Sequence, residues 1–253
     1  MWKVAINYHA ERIAKMSPAP ALGRNPREGY LRGCGIQFGN ISAFCADDPV
    51  FAEAFAAARP RTTVPRDRLE NIFVLMKFYF AGLLPGHVVE FGSYRGGSAI
   101  FMAIVARRLH PGMQVYALDT FAGMPETDPV RDVVVQGDFV PDFDELRRTV
   151  AELGLDNLHL VKGLFSETAR PTLAAAGPIR LAHIDCDTYE GIAESYPAVK
   201  PAMVAGGYIV FDDPLVSACL GAFEAVERLV VREDGLHAEQ TFPHLVYRYK
   251  PLG

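Results

Sequence analysis

The sequence predicts an α/β protein built on a doubly wound, mostly parallel sheet, with one antiparallel strand near the C-terminus and a helical extension at the N-terminus. Two observations predict it. From residue 87 onward, short apolar runs alternate with helical stretches, the pattern of a parallel sheet covered on both faces. At the end of the chain, two strand-like runs are separated only by Phe242 and Pro243, a connection too short for anything but an antiparallel hairpin.

The strands are expected at HVVEF (87–91), QVYAL (114–118), NLHLV (157–161), RLAHI (180–184) and GYIVF (206–210), followed by LHAEQT (236–241) and HLVYRYK (244–250). Helices are expected between them at 97–108, 143–153, 166–175, 188–203 and about 216–232. Ahead of the sheet, VFAEAFAAAR (50–59) makes a helix closed by Pro60. Residues 66–81 make another, with Leu69, Ile72, Phe73, Met76 and Phe80 at spacings of three and four. At the start, Trp2, Ile6, Ile13 and Met16 among Lys3, Glu11, Arg12 and Lys15 suggest an amphipathic helix over 1–16, and the prolines and glycines of 18–40 read as irregular chain. The chain thus divides into an extension, 1–65, and a ligand-binding domain, 66–253. The greasy face of 1–16 needs cover, from its own domain or from a second copy in a homo-oligomer.

Composition narrows the class. The chain has 253 residues, 50% hydrophobic and 22% charged, which excludes wholesale disorder. Thirty acids against 25 Lys and Arg give a net charge of −5, the opposite of a nucleic-acid footprint, so no nucleic acid is expected as partner. The longest greasy stretch, 72–84, contains Lys77 and is too short to span a bilayer, so no membrane partner is expected. The first residues carry charges throughout and lack the apolar core of a signal peptide. Cys34, Cys45, Cys186 and Cys219 lie far apart and read as free thiols of a reducing compartment. The expected location is cytoplasmic.

In such a sheet, ligands bind beyond the carboxyl ends of the strands. The first strand runs into Glu90-Phe91-Gly92-Ser93-Tyr94-Arg95-Gly96-Gly97-Ser98. Gly92 permits a tight turn, and Gly96 and Gly97 let a ligand approach the backbone at the next helix's start. The spacing is G-x-x-x-G-G with Tyr94 where a dinucleotide fingerprint has its middle glycine, which argues against an NAD-dependent oxidoreductase. Glu90, just before the first glycine, suits a ligand with a positive charge. Asp119 ends the second strand, where a carboxylate either accepts the two hydroxyls of a ribose or caps a turn. Gly163-Leu164-Phe165 after the third strand offers an open backbone and an aromatic face suited to an adenine ring, and Gly137-Asp138-Phe139 reads as a loop turn.

The fourth and fifth strands end in His183-Ile184-Asp185-Cys186-Asp187-Thr188 and Phe211-Asp212-Asp213-Pro214. If these strands are neighbours, Asp185, Asp212 and Asp213 meet at one sheet edge. Carboxylates so close repel one another unless a cation sits between them. All the donors are hard oxygens, which favours Mg²⁺ or Ca²⁺ over Zn²⁺. Asp187 and Asp213 could instead cap the helices that follow. His183 lies within an apolar strand and reads as a core histidine, and no nucleophile elbow or catalytic triad is apparent.

The stretches VVEFGSYRGGSAIFMA, LDTFAGMP, GDF, GLFSET, HIDCDTYE and GGYIVFDD, in this order, resemble the macrocin O-methyltransferase family, over about residues 66–250. The resemblance implies a Rossmann-like class I methyltransferase domain over 66–253 that uses S-adenosylmethionine and Mg²⁺ to methylate a hydroxyl of a small molecule, often a sugar of an antibiotic. It implies that Glu90, Gly92, Ser93, Tyr94, Gly96, Gly97 and Ser98 hold the methionine part of the donor. It assigns Asp119, followed by Thr120 and Phe121, to the ribose, Asp138 and Phe139 to a GDF loop, and Gly163, Leu164 and Phe165 to the adenine. Asp185, Asp212 and Asp213 match the metal ligands, and Asp187 a general base. Two positions depart from the family pattern: Tyr94 stands for the usual Trp, and Cys186 for the usual Gly of an Asp-Gly-Asp triplet. A metal-dependent catechol or phenol O-methyltransferase would use the same site, since a phenol needs less activation than an alcohol. A non-catalytic protein that keeps the donor pocket would have no need of four carboxylates together.

Overall fold

The computed structural model describes residues 41–250 and, ahead of them, Lys15 alone. The helix expected over 1–16, the irregular stretch 18–40 and Cys34 lie outside the described residues. The chain falls into two compact units, Met1–Ala52 and Glu53–Gly253. Two helices come first, α1 (Ile41–Ala46) and α2 (Pro49–Ala58). Helix α3 (Arg66–Val74) follows and loosens into a π-helical turn at Leu75–Tyr79, where one continuous helix to 81 was expected.

The strands are β1 (His87–Phe91), β2 (Val115–Asp119), β3 (Leu158–Lys162), β4 (Ile179–Ile184), β5 (Met203–Phe211), β6 (Ala238–Gln240) and β7 (Leu245–Arg248). They form one seven-stranded sheet in the order β3-β2-β1-β4-β5-β7-β6. The first five are parallel, and β7 runs antiparallel to β5 and also to β6, to which the short connection at 242–243 joins it. Helices α4 (Gly97–Leu109), α5 (Phe143–Glu152), α6 (Phe165–Ala176), α7 (Tyr189–Val199) and α8 (Leu220–Ala225) carry the crossovers. The central strands are buried along nearly their whole length, which explains their unbroken apolar runs.

Register builds the site. Phe91 of β1 pairs with Leu118 of β2 on one side and Ile184 of β4 on the other, and Ile184 pairs with Phe211 of β5. The next residues, Asp119, Gly92, Asp185 and Asp212, therefore emerge together at one edge. The strand order reverses between β1 and β4, the place where an open α/β sheet leaves a crevice for ligands.

The helix expected from about 216 begins only at Leu220 and ends in a π-helical stretch, Val226–Glu233. Successive turns, Val216 N–H to the Asp213 carbonyl and Cys219 N–H to the Val216 carbonyl, occupy the chain before it. Cys186 and Cys219 are free and buried, and Cys45 is buried. Among the described residues, no helix is long and apolar enough to cross a membrane.

Candidate active site

A cavity of about 660 Å³ opens at this edge. That is room for a ligand of cofactor size. Gly92, Ser93, Tyr94, Gly97, Ser98, Asp119, Thr120, Phe139, Leu164 and Phe165 line one part of it, and Asp185, Asp187, Asp212 and Asp213 line another. Glu90, Gly96, Phe121, Asp138 and Gly163, also expected at the donor, are not among its lining residues. Phe121 is buried and stacks on Phe143, with ring centroids 4.6 Å apart. The Asp138 carboxylate accepts the Val135 N–H at 2.9 Å and so closes its own loop.

The glycine turn is held by Asp119. One carboxylate oxygen accepts the N–H groups of Ser93 and Tyr94, each at 2.8 Å, and the other accepts that of Phe121 at 2.6 Å. Gly92 has φ 84°, and a Cβ there would stand 1.7 Å from the Asp185 carbonyl oxygen. Only glycine lets β1 and β4 close this tightly. Gly96, at φ 73°, precedes the first turn of α4 and gives it no side-chain cap, and Gly97 and Ser98 of that turn line the cavity.

Asp185, Asp212 and Asp213 each offer an oxygen within 4.8 Å of the others. The helix that follows Asp187 is capped by Thr188, whose hydroxyl accepts the Gly191 N–H at 3.1 Å. Asp187 is therefore not the cap, and it adopts a left-handed backbone, φ 60°. Its N–H donates to Asp213 Oδ2 at 2.8 Å, and its carboxylate accepts from the Cys219 thiol at 3.5 Å. Cys219 itself precedes α8 without a side-chain cap, so Asp213 is not used for capping either.

The electrostatics are uneven. Burial opposes the charge on Asp212, but His183, His244 and the Arg68 guanidinium beside it more than offset it and hold the carboxyl far below the usual range. Burial pushes Asp185 and Asp213 well above that range, and the neighbouring carboxylates add to the effect. Burial is also the largest influence raising Asp187. Arg68, from α3, donates to Asp212 Oδ2. Its charge also acts on Asp213 and Asp187, yet Asp185, Asp187 and Asp213 all stay raised, and a hard oxygen donor set of this kind fits Mg²⁺.

His183 is the core histidine expected, and it is also ionic. Burial disfavours its charge, yet Asp212 and Glu90 raise its pKa to about 9. His244 is held neutral, with burial the main cause. Asn71 donates its amide N–H groups to His244 Nε2 and Gln240 Oε1, both at 2.9 Å, which leaves the His244 proton on Nδ1, 3.3 Å from Asp212. Arg68, Asn71 and His244 carried no local sequence signal. Arg68 reaches Asp212 from α3, and His244, held by Asn71, reaches it from the residue before β7, the strand that pairs with β5.

A family model described as macrocin-O-methyltransferase (TylF) matches residues 55–233. The chain is 29% identical over 172 residues to the 8-demethyl-8-(2,3-dimethoxy-alpha-L-rhamnosyl)-tetracenomycin-C 4'-O-methyltransferase of Streptomyces olivaceus, covering 64% of this chain and 65% of that protein, just under two thirds of its length. It is 26% identical over 207 residues to the demethyldecarbamoylnovobiocin O-methyltransferase of Streptomyces niveus, covering 73% of this chain and 77% of that one. Among solved structures, the O-methyltransferase NovP superimposes with a TM-score of 0.66 at 20% identity, over 99% of this chain and 98% of that one, a likeness of fold.

Proposed function

The chain belongs to the macrocin-O-methyltransferase family, and on that premise we propose that it transfers a methyl group from S-adenosylmethionine to a hydroxyl of a small molecule, a sugar unit of a natural product, with Mg²⁺. The observation that carries this reading is the meeting of a glycine turn and three carboxylates in one cavity. The activities of the two relatives, one of them on a rhamnosyl-bearing compound, support the choice of acceptor.

In this reading, residues 66–253 form the catalytic domain. The turn from Gly92 to Ser98, ordered by Asp119, binds the donor, with Leu164 and Phe165 against its adenine. Asp185, Asp212 and Asp213 would hold Mg²⁺. When bound, that ion lowers the pKa of an alcohol and fixes its oxygen. Asp187 then takes the hydroxyl proton. The oxygen forms its bond to the methyl carbon as the carbon–sulfur bond breaks, and that electron pair stays on sulfur as the neutral thioether S-adenosylhomocysteine. The walls of the cavity hold oxygen, carbon and sulfur in line, which supplies much of the acceleration. General-base help from Asp187 is worth roughly 10²–10⁴-fold.

The test is incubation of the full chain with S-adenosylmethionine, Mg²⁺ and a panel of glycosides, free sugars and catechols, read by mass spectrometry. A glycoside that gains one methyl, with an equal amount of S-adenosylhomocysteine, is the expected result. Methylation of catechols alone would move the acceptor to the phenol class, and absence of S-adenosylmethionine binding would end the reading.

A further inference from the structure

Around the start of α6, the cavity is lined by Leu164 and Phe165 together with Glu190, Gly191 and Glu194 of α7. Phe165 is anchored to the core: its ring stands edge-on to that of the buried Phe91 of β1, with centroids 5.3 Å apart. Leu164, just before it, is exposed and turned to the cavity. Glu194 reaches from α7 to the next residue of the same turn. Its Oε2 accepts the Ser166 N–H at 3.2 Å. Its Oε1 has no hydrogen-bond partner among the described residues, and the residue is exposed. A carboxylate oxygen with its acceptor capacity unused thus borders the place given above to the adenine ring.

An ionised carboxylate only accepts hydrogen bonds. Adenine carries one donor, its 6-amino group, and its unsubstituted ring nitrogens are acceptors. A ring lying against Leu164 therefore has a single group that this carboxylate can meet. We propose that Glu194 is a specificity-determining residue of the donor site: Oε1 accepts a hydrogen bond from the 6-amino group of the adenine, while Oε2 keeps the Leu164–Phe165 turn in place through Ser166. This rests on the reading of that turn as the adenine site. A glutamate that only braced the first turn of α6 would change the affinity for every donor-site ligand alike. The ratio between two ligands that differ only at the 6-position separates the two roles.

The full chain is titrated calorimetrically with S-adenosylhomocysteine and with its purine analogue, identical except for a hydrogen in place of the 6-amino group. Native protein should bind the analogue roughly tenfold to a hundredfold more weakly, the range of a hydrogen bond to a charged acceptor. Glu194→Ala should bind S-adenosylhomocysteine more weakly and lose the preference, with the two dissociation constants brought within about threefold of each other. Native protein that binds both ligands equally overturns the proposal, and so does a native-like preference in folded Glu194→Ala. Should that variant fail to fold, Glu194→Gln keeps the shape and an acceptor but not the charge. Its preference should fall about threefold or more below the native one, and an undiminished preference overturns the proposal. A native protein that binds neither ligand overturns the donor reading of the cavity, and the role of Glu194 falls with it.

Discussion

A carboxylate buried beside others needs a cation, and Asp212, Asp185 and Asp213 meet that need unequally. Asp212 has Arg68 and His183 beside it, whereas Asp185 and Asp213 face mainly other acids. Replacing Asp212 with Asn removes one charge and one metal-binding oxygen at nearly constant volume. Asp212→Asn should lose most methyl transfer while still binding S-adenosylhomocysteine; calorimetry alongside turnover checks both. Asp119 acts on the other half, since its carboxylate accepts three backbone N–H groups of the turns it joins. Asp119→Asn forfeits charge-assisted bonds worth about 1.5–3 kcal/mol each. It should weaken S-adenosylhomocysteine binding by roughly tenfold or more, and an unchanged dissociation constant would remove Asp119 from the donor site. These acids were legible in the sequence because each directly follows or ends an apolar strand. Arg68 was not, because it meets Asp212 across 144 residues and no local pattern marks such a partner.

The strands and their turns followed closely from local chemistry, and the helices did so less fully. Apolar runs located β1 to β5 within a few residues, because the central strands, buried on both faces, have little freedom in composition; β3, at the edge and partly exposed, still carries Leu158, Leu160 and Val161. The π-helical turn after α3 and the late start of α8 were hidden, since both depend on hydrogen bonds the sequence does not announce. Gly92 shows how tightly β1 and β4 join. Gly92→Ala adds about 1–3 kcal/mol of backbone strain at positive φ, besides the clash with Asp185, and should yield little soluble protein. The end of α4 gives a pH prediction away from the site. His110 follows α4, and its ring Nε2 donates to the Met76 carbonyl at 2.7 Å. Burial, with Arg180 nearby, lowers its pKa. As pH falls below about 6.5, the unfolded chain binds a proton there that the folded one resists, so acid destabilises the fold. His110→Gln keeps a donor to Met76 and should flatten the fall in melting temperature between about pH 7 and 5. An unaltered slope would show that other groups set it.

The net charge of −5 belongs to the whole chain, but part of it is concentrated where Asp185, Asp187, Asp212 and Asp213 line the cavity. A cation bound there favours the folded state by about 2.7 kcal/mol at one hundred times its dissociation constant. For a protein of this size that is a rise in melting temperature on the order of 5–10 °C. Mg²⁺ should produce such a rise in the native protein and little in Asp212→Asn; an equal rise in both would place the ion elsewhere. In the proposed reading the methyl donor lies in the crevice between β1 and β4, where the sheet order reverses. The decisive measurement is the rate of methyl transfer to the glycoside identified by screening, before and after chelation and again after Mg²⁺ is restored. The proposed mechanism predicts loss of nearly all turnover on chelation and full recovery with Mg²⁺. Turnover that continues unchanged in the chelator would contradict it.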